Sequence, residues 1–244
     1  MSNPNCRMNA EDFRRCLKSA RAKNRRRYFS RFIFTSAVKD GGNLFPFAAG
    51  TEVAAFGYAI GDASSDFIVG DPTTSAALAT AMGRAQRNDT NVVVARETEK
   101  GSDFYIQRIG IQLNPNSDAE AVAGLFPELN YDLQFDDQTV YHIGPAGLAP
   151  GGGGLAGAGS SNAIVAAGAT RSYGSNGFAD AMNMLDLGMA PIKWGKDGIQ
   201  KNLSIKARLG RAISIVGAAG GTTSYLRLDG LIVLDGVEIT RMVA

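Results

Sequence analysis

The sequence predicts an all-β protein, an antiparallel sandwich that follows a basic helical arm. Three observations carry this prediction. Short runs of β-branched and aromatic residues recur through most of the 244 residues. Turn-forming Gly and Asp separate these runs, and the 30 glycines are nearly twice the usual share of about 7%. Net charge also divides the chain, because residues 1–31 hold ten basic side chains against Glu11 and Asp12, whereas residues 32–244 hold 15 basic and 21 acidic ones.

The first element is the basic N-terminal arm, residues 1–31. Asn9 can cap a helix, and Phe13, Cys16, Leu17 and Ala20 fall on one narrow apolar stripe, which predicts an amphipathic helix over residues 10–23. No acidic residue lies between Arg14 and Arg31. The candidate contact residues are the nine cations of that stretch: Arg14, Arg15, Lys18, Arg21, Lys23, Arg25, Arg26, Arg27 and Arg31.

The second element is a β body over residues 32–244, which is short enough for a single large domain. Asp-Gly and related turn signals, such as Asp229-Gly230 and Asp235-Gly236, separate its strands. The predicted strands are Arg31–Val38, Val53–Ile60, Asn91–Arg96, Phe104–Leu113, Tyr131–Phe135, Thr139–Ile143, Pro191–Trp194, Leu203–Leu209, Ala212–Val216, Tyr225–Leu228, Leu231–Leu234 and Val237–Met242.

Three segments depart from this β pattern. Residues 74–85 and 178–187 have short helical patterns that suit loops at one end of a sandwich. Residues 144–161 form a Gly-rich loop of low complexity, which cannot bury a core. We expect all three inside the β body, with residues 32–89 adding edge strands to it.

No set of residues predicts catalysis, a metal or a cofactor. Gly152, Gly154 and Gly157 match GxGxxG, but they lie in a Gly-rich segment and lack a βαβ context. His142 is the only histidine, and no GxSxG elbow is present to supply a nucleophile. Asp136-Asp137 fits a turn between two strands. The sequence therefore favours a protein that is not an enzyme, with the single tryptophan, Trp194, as a core or interface anchor.

Targeting signals are also absent from the sequence. The first residues lack the apolar segment of a secretory signal, and no run of 18 apolar residues could span a bilayer. Cys6 and Cys16 lack metal-ligand spacing, so we expect reduced thiols and synthesis in a reducing cytoplasm.

The basic arm has three interpretations. It can be a solvated or unstructured charged segment, as many charge runs are. It can bind the phosphates of a nucleic acid through a sequence-independent electrostatic attraction. It can also lie on an anionic bilayer with Phe13 and Leu17 inserted among the lipids. The sequence alone leaves the two functional interpretations open.

The body resembles the jelly-roll capsid proteins of tailless icosahedral bacterial viruses, whose members often surround an internal membrane. The segments that carry the resemblance span residues 50–243: GTEVAAFGYAIGD at 50–62, DTNVVV at 89–94, DFYIQRIGIQL at 103–113, HIGPAGLAPGGGG at 142–154, PIKWGKDGIQKNLSIKARL at 191–209 and LRLDGLIVLDGVEITRMV at 226–243. The resemblance implies an eight-stranded sandwich of two sheets, with the Gly-rich loop at a contact between capsomers. About a dozen predicted strands favour a single jelly roll of roughly residues 90–244 over a double one.

By this resemblance, the protein is a capsid subunit that assembles with itself and other virion proteins into an icosahedral shell. Its expected location is the virion, after assembly in the host cytoplasm, with the basic arm on the viral genome or an internal lipid membrane. Two alternatives come from other classes. One is a non-viral nucleic-acid-binding β protein, and the other is a β-sandwich enzyme or carbohydrate-binding module, which would need a concave pocket with convergent polar groups.

Overall fold

A computed structural model of the protein describes residues 8–19, 22–35, 44–64, 83–98, 102–113, 117–145, 158–166, 169–176, 184–188, 190–195, 202–216 and 226–240. The described helices are α1 (Ala10–Ser19), α2 (Ala119–Gly124) and a short 3-10 helix (Phe126–Glu128). The described strands are β1 (Ala22–Thr35), β2 (Leu44–Phe47), β3 (Glu52–Ala55), β4 (Ala63–Ser64), β5 (Gly83–Arg84), β6 (Ser102–Leu113), β7 (Ser117–Asp118), β8 (Leu129–Phe135), β9 (Gln138–Pro145), β10 (Ala158–Ala166), β11 (Ala169–Asn176), β12 (Leu185–Asp186), β13 (Ile192–Gly195), β14 (Leu203–Leu209), β15 (Ile213–Val216) and β16 (Arg227–Thr240).

Two antiparallel sheets form the body, which confirms the predicted all-β antiparallel class. The first sheet has the strand order β1-β16-β6-β12, and β13 also pairs with β6. The second sheet has the order β3-β14-β8-β9. Three smaller sheets join β10-β11-β7, β15-β2 and β4-β5. The early strands β1 and β3 are edge strands of the two large sheets, so both belong to the sandwich itself.

One apolar core lies between the two large sheets. Alternate residues of β14, from Leu203 to Leu209, are fully buried, as a period of two predicts for a strand with one face on the core. Trp194 of β13 is also fully buried, and its ring lies edge-on to Tyr28 at a centroid distance of 5.0 Å. Its Nε1 donates to the carbonyl of Arg96 at 3.1 Å. The interpretation of Trp194 as a core anchor is confirmed.

The C-terminal strand corrects the predicted turns at Asp229-Gly230 and Asp235-Gly236. β16 runs without a turn through both pairs and joins the three strands predicted over residues 225–242 into one. Gly230 and Gly236 are instead needed because neighbouring groups approach their backbone too closely to leave room for a side chain. A Cβ atom on Gly230 would lie 2.5 Å from the Phe32 ring, and one on Gly236 would lie 2.0 Å from the carbonyl oxygen of Tyr105.

Helix α1 begins as predicted but is shorter than the predicted helix over residues 10–23. The Asn9 side-chain oxygen accepts a hydrogen bond from the backbone N–H of Asp12 at 2.8 Å, which caps the first turn. The helix ends at Ser19, and β1 starts at Ala22. Pairing with β16 overrides the local helical pattern of residues 22–23, because each residue of β1 gains a cross-strand partner. The predicted boundary at residue 31 therefore falls inside β1.

Other predicted elements differ from the structure or lie outside the described residues. Residues 91–96 form a loop instead of a strand, and the strand predicted over residues 53–60 is limited to β3, because Phe56 turns the chain at a positive φ of 66°. Residues 74–82, 178–183 and 146–157 lie outside the described part, so most of the two helical patterns and of the Gly-rich loop stay predictions. Their described ends correct the prediction, because Gly83–Arg84, Leu185–Asp186 and residues 158–161 belong to strands β5, β12 and β10 and pair with neighbouring strands.

Candidate functional site

The nine candidate contact residues lie on two elements. Helix α1 carries Arg14, Arg15 and Lys18, all of them exposed. Strand β1 carries Arg25, Arg26, Arg27 and Arg31. Lys23 also lies in β1, but the structure does not describe its side chain, and Arg21 lies outside the described residues. The sequence treats these nine as one group, whereas the structure gives them different surroundings.

Strand β1 pairs with another strand on one side and is contacted by a loop on part of the other side, at residues 27–31. On one side it pairs with β16 over its whole length. On the other side the loop at residues 89–91 follows it: the backbone N–H of Arg31 donates to the carbonyl of Asp89 at 2.8 Å, and that of Phe29 donates to Oδ1 of Asn91 at 2.9 Å. These contacts fix the positions of the β1 arginines.

Arg26 belongs to a network at the end of the core. Its Nη1 donates to Oε2 of Glu238 at 2.8 Å, and its guanidinium carbon lies 4.7 Å from the centre of the Tyr28 ring. The hydroxyls of Tyr28 and Ser102 donate to the other oxygen of Glu238, at 3.2 and 2.7 Å. Arg26 is thus tied to a buried carboxylate at the sheet, so its role in the fold is structural.

Arg31 forms the most buried ion pair of the group. Its Nε donates to Oδ1 of Asp229 at 2.7 Å, its Nη2 contacts Oδ2 of the same residue, and its Nη1 donates to Asp89 at 2.6 Å. Asp229 is fully buried and also accepts from Arg227 at 3.1 Å. Burial by itself lowers the pKa of Arg31, but the hydrogen bonds and charges of Asp229 and Asp89 outweigh it and raise the pKa above its ordinary value. A third buried carboxylate, Asp118, accepts from the backbone N–H of Arg227 at 2.7 Å, so this cluster has no excess of positive charge.

The charges around Asp235 do not balance. Its carboxylate is 3% exposed and faces three guanidinium groups: Arg25 at 3.1 Å, Arg27 at 3.4 Å and Arg108 of β6 at 3.2 Å. In the register of the first sheet, Arg27 and Arg108 stand directly opposite Asp235 on its two sides. Arg108 has a second, distant carboxylate partner, Asp186, at 3.8 Å. We call Arg25, Arg27 and Arg108 the arginine triad.

Helix α1 packs on the first sheet through an apolar cluster that also includes Val237, the register partner of Arg25. Its Phe13 is 1% exposed, and its ring centre lies 5.5 Å from that of Tyr105 on β6. Ile239 of β16 completes this small cluster, against which Leu17 and Cys16 also pack. The apolar side of the helix therefore faces the protein, and its basic side faces solvent.

Sequence reasoning missed the acidic partners and Arg108. A signal was present in the two Asp-Gly pairs of residues 229–236, which resemble turns but supply Asp229 and Asp235 to the arginines. The sequence also has a basic excess in residues 1–31 and an acidic excess in residues 32–244, which is what ion pairs between the two parts require. Only the strand register shows which arginine lies opposite which carboxylate.

The other polar residues considered in the sequence, Asp136, Asp137 and His142, lie in a turn and on an exposed strand surface. Asp136 and Asp137 both adopt a positive φ, as a tight turn between β8 and β9 requires, which confirms their interpretation as turn residues. His142 contacts the Asp132 carboxylate at the exposed surface. Among the described residues, no group of His, Cys, Asp and Glu could hold a metal ion. None of the helices described is long and apolar enough to cross a membrane.

Comparisons with known proteins leave the family open. No protein-family model matches the chain, and a search of curated proteins finds no match.

Proposed function

We propose that the protein is a structural subunit of a viral capsid, with a single jelly-roll body that assembles with copies of itself and with other virion proteins into an icosahedral shell. In this proposal its location is the virion, after assembly in the host cytoplasm. The basic segment would contact the viral genome or an internal lipid membrane. Strand pairing is the observation that carries the proposal.

Eight strands of the two large sheets pair like one long hairpin that has been folded over. In chain order they are β1, β3, β6, β8, β9, β13, β14 and β16. The first pairs with the eighth, the second with the seventh, the third with the sixth and the fourth with the fifth. These pairs alternate between the two sheets. Such an arrangement supports a jelly roll, an architecture that recurs in viral capsids.

Exposed apolar side chains at one end of the sandwich suit contacts between subunits. Val93 and Val94 are 64% and 52% exposed in the loop before Arg96. Ile60 lies beside them, because its backbone N–H donates to the carbonyl of Val92 at 3.1 Å, and its side chain is also exposed. In a closed shell, many weak contacts of this kind add up through multivalency.

The assembly test is sedimentation velocity of the purified protein combined with negative-stain electron microscopy. We expect regular particles or capsomers of uniform size, formed as the protein concentration rises. A stable monomer at high concentration, with and without nucleic acid present, would contradict the proposal.

Replacing Val93 and Val94 with aspartate should abolish assembly and leave the monomer folded. Exposed positions tolerate such changes within about 0.5 kcal/mol of unfolding free energy, while two charges at a subunit contact cost desolvation. Sedimentation velocity measures assembly, and thermal unfolding measures the fold. The control variant carries Ala123→Asp and Ala212→Asp, which add the same two charges at other exposed positions. Equal assembly of both variants would exclude the valines from the subunit contact.

The alternative is a non-viral nucleic-acid-binding β protein. The unbalanced arginine triad favours it as the second candidate, because an excess of guanidinium groups attracts phosphates. This function predicts that an isolated monomer binds nucleic acid and never forms particles, so the sedimentation experiment separates the two functions.

A further inference from the structure

We infer that the basic segment binds a nucleic acid, through phosphates held by the arginine triad and by the exposed cations of helix α1, and that it does not insert into a bilayer. The inference rests on the proposed function, which leaves genome and membrane open. It divides the nine candidate residues into binding and structural ones. Three observations carry it: the unmatched charge at Asp235, the exposure of the triad and the direction in which the apolar side of α1 faces.

The first observation is the charge balance. Among the described residues, the Asp235 carboxylate faces three guanidinium groups, which leaves two positive charges unmatched there; Arg108 has only one further, distant carboxylate, Asp186. The other described arginines of β1 are each paired with buried or largely buried carboxylates, Arg26 with Glu238 and Arg31 with Asp229 and Asp89. Like charges held close together repel each other, and an anion bound between them removes that repulsion. A phosphate oxygen accepts hydrogen bonds from guanidinium groups well.

The second observation is that two members of the triad are open to a polymer. The side chains of Arg25 and Arg27 are 63% and 48% exposed, while Arg108 is 26% exposed and Asp235 is buried. Arg31, by contrast, is 17% exposed and bound to Asp229 and Asp89. A phosphate chain can therefore reach the triad without breaking the fold, whereas it would have to displace two carboxylates to reach Arg31.

The third observation concerns the bilayer. A helix that lies in a membrane needs its apolar side free to enter the lipid. In α1 the Phe13 side chain is buried against Tyr105, and Leu17 packs against the same cluster. Insertion would require the helix to leave the sheet, which would expose Tyr105 and Ile239 to water. The side left free carries Arg14, Arg15 and Lys18, which suits phosphates.

Exposed acidic residues only weakly neutralise that side of the helix. Arg15 lies 3.8 Å from Glu11 and 3.7 Å from Asp12, and all three side chains are at least half exposed. Pairs of this kind contribute little and are screened by salt. Arg14 and Lys18 are exposed and have no carboxylate within ion-pair distance among the described residues, so both are free to meet phosphates.

The test measures how binding depends on salt. A fluorescein-labelled oligo(dT) is titrated with the full-length protein between 0.05 and 0.5 M NaCl. For single-stranded DNA, the logarithm of the association constant falls with the logarithm of salt by about 0.7 per phosphate neutralised. Arg25→Gln with Arg27→Gln should lower this slope by about 1.4, which corresponds to a loss of about 25-fold in affinity at 0.1 M salt if affinities converge at 1 M.

Two further variants complete the design. Arg14→Gln with Lys18→Gln should lower the slope by a similar amount, and it keeps the inference testable if loss of the Asp235 partners destabilises the first variant. Arg208→Gln with Arg211→Gln removes two exposed arginines near the second sheet and should leave the slope unchanged. Equal slopes in all variants would overturn the inference.

Vesicles provide the competing outcome. Phosphatidylcholine vesicles with and without one third phosphatidylglycerol are tested by co-flotation in the same buffers. Binding to the anionic vesicles that exceeds binding to oligo(dT), or that is lost in Phe13→Ala, would overturn the inference in favour of a membrane.

Assembly is followed on the same samples, so that the two proposals fail separately. Particles that form without any binding of oligo(dT) would overturn this inference and leave the capsid proposal intact. If the protein binds oligo(dT) with the expected slopes but never assembles, the capsid proposal is overturned and this inference stands.

Discussion

Asp229→Ala should lower the free energy of unfolding by about 3–5 kcal/mol, because it leaves buried positive charge without its partner. Asp229 is fully buried and binds both Arg31 and Arg227, whose side chains are 17% and 12% exposed. Arg31 would keep only its ion pair with Asp89, and Arg227 would lose the one side-chain ion pair that the described residues give it. Chemical denaturation followed by tryptophan fluorescence measures the effect, since Trp194 lies in the core.

The control for Asp229 is an exposed ion pair. Glu52 is 46% exposed and lies 3.3 Å from Nζ of Lys206, so Glu52→Ala should change the unfolding free energy by at most about 1 kcal/mol. A loss of that small size for Asp229→Ala would mean that water replaces the carboxylate. β1 would then be a weakly attached arm and not a structural strand.

Gly236→Ala should destabilise the protein by about 3 kcal/mol, at the upper end of the range for overpacking. The added Cβ would lie 2.0 Å from the carbonyl oxygen of Tyr105 on the neighbouring strand β6. The backbone fixes the position of a Cβ atom, and the carbonyl is held in the sheet, so neither can rotate away. The strands must therefore separate at the irregularity between Asp235 and Gly236. Thermal and denaturant unfolding both measure this loss.

Gly57 supplies the matched control for Gly236. It has no positive φ, and an added Cβ would meet Ala54 at an ordinary 3.9 Å. We expect Gly57→Ala to leave the unfolding free energy within about 0.5 kcal/mol of the unmutated protein. If Gly236→Ala were equally mild, the close approach of β16 and β6 would be wrong, and a turn at Asp235-Gly236 would again be a valid interpretation.

The body strands were largely predictable because their signal is local. A strand with one buried face alternates apolar and polar residues, and β14 has the predicted bounds, Leu203–Leu209, for this reason. The start of α1 was predictable as well, since the Asn9 cap involves only residues three positions away. Both features depend on neighbours in the sequence.

The prediction failed where local pattern and tertiary contact disagree. Asp-Gly is a strong turn signal, yet both pairs in β16 lie inside one continuous strand. Arginines on β1 and β6 neutralise the aspartates, and neighbouring strands require the glycines. The partners of Asp235 on β1 lie more than 200 residues earlier in the chain, so no short window contains them.

The amino-acid sequence by itself determined the β class, most strands of the body and the concentration of positive charge in the first 31 residues, because composition and periodicity are properties of short segments. Only the tertiary structure decided what that charge does. Strand register brings Arg26 and Arg31 to matching carboxylates and leaves Arg25, Arg27 and Arg108 around one. Coulombic interaction depends on distance in space, which strand pairing sets and the order of residues does not.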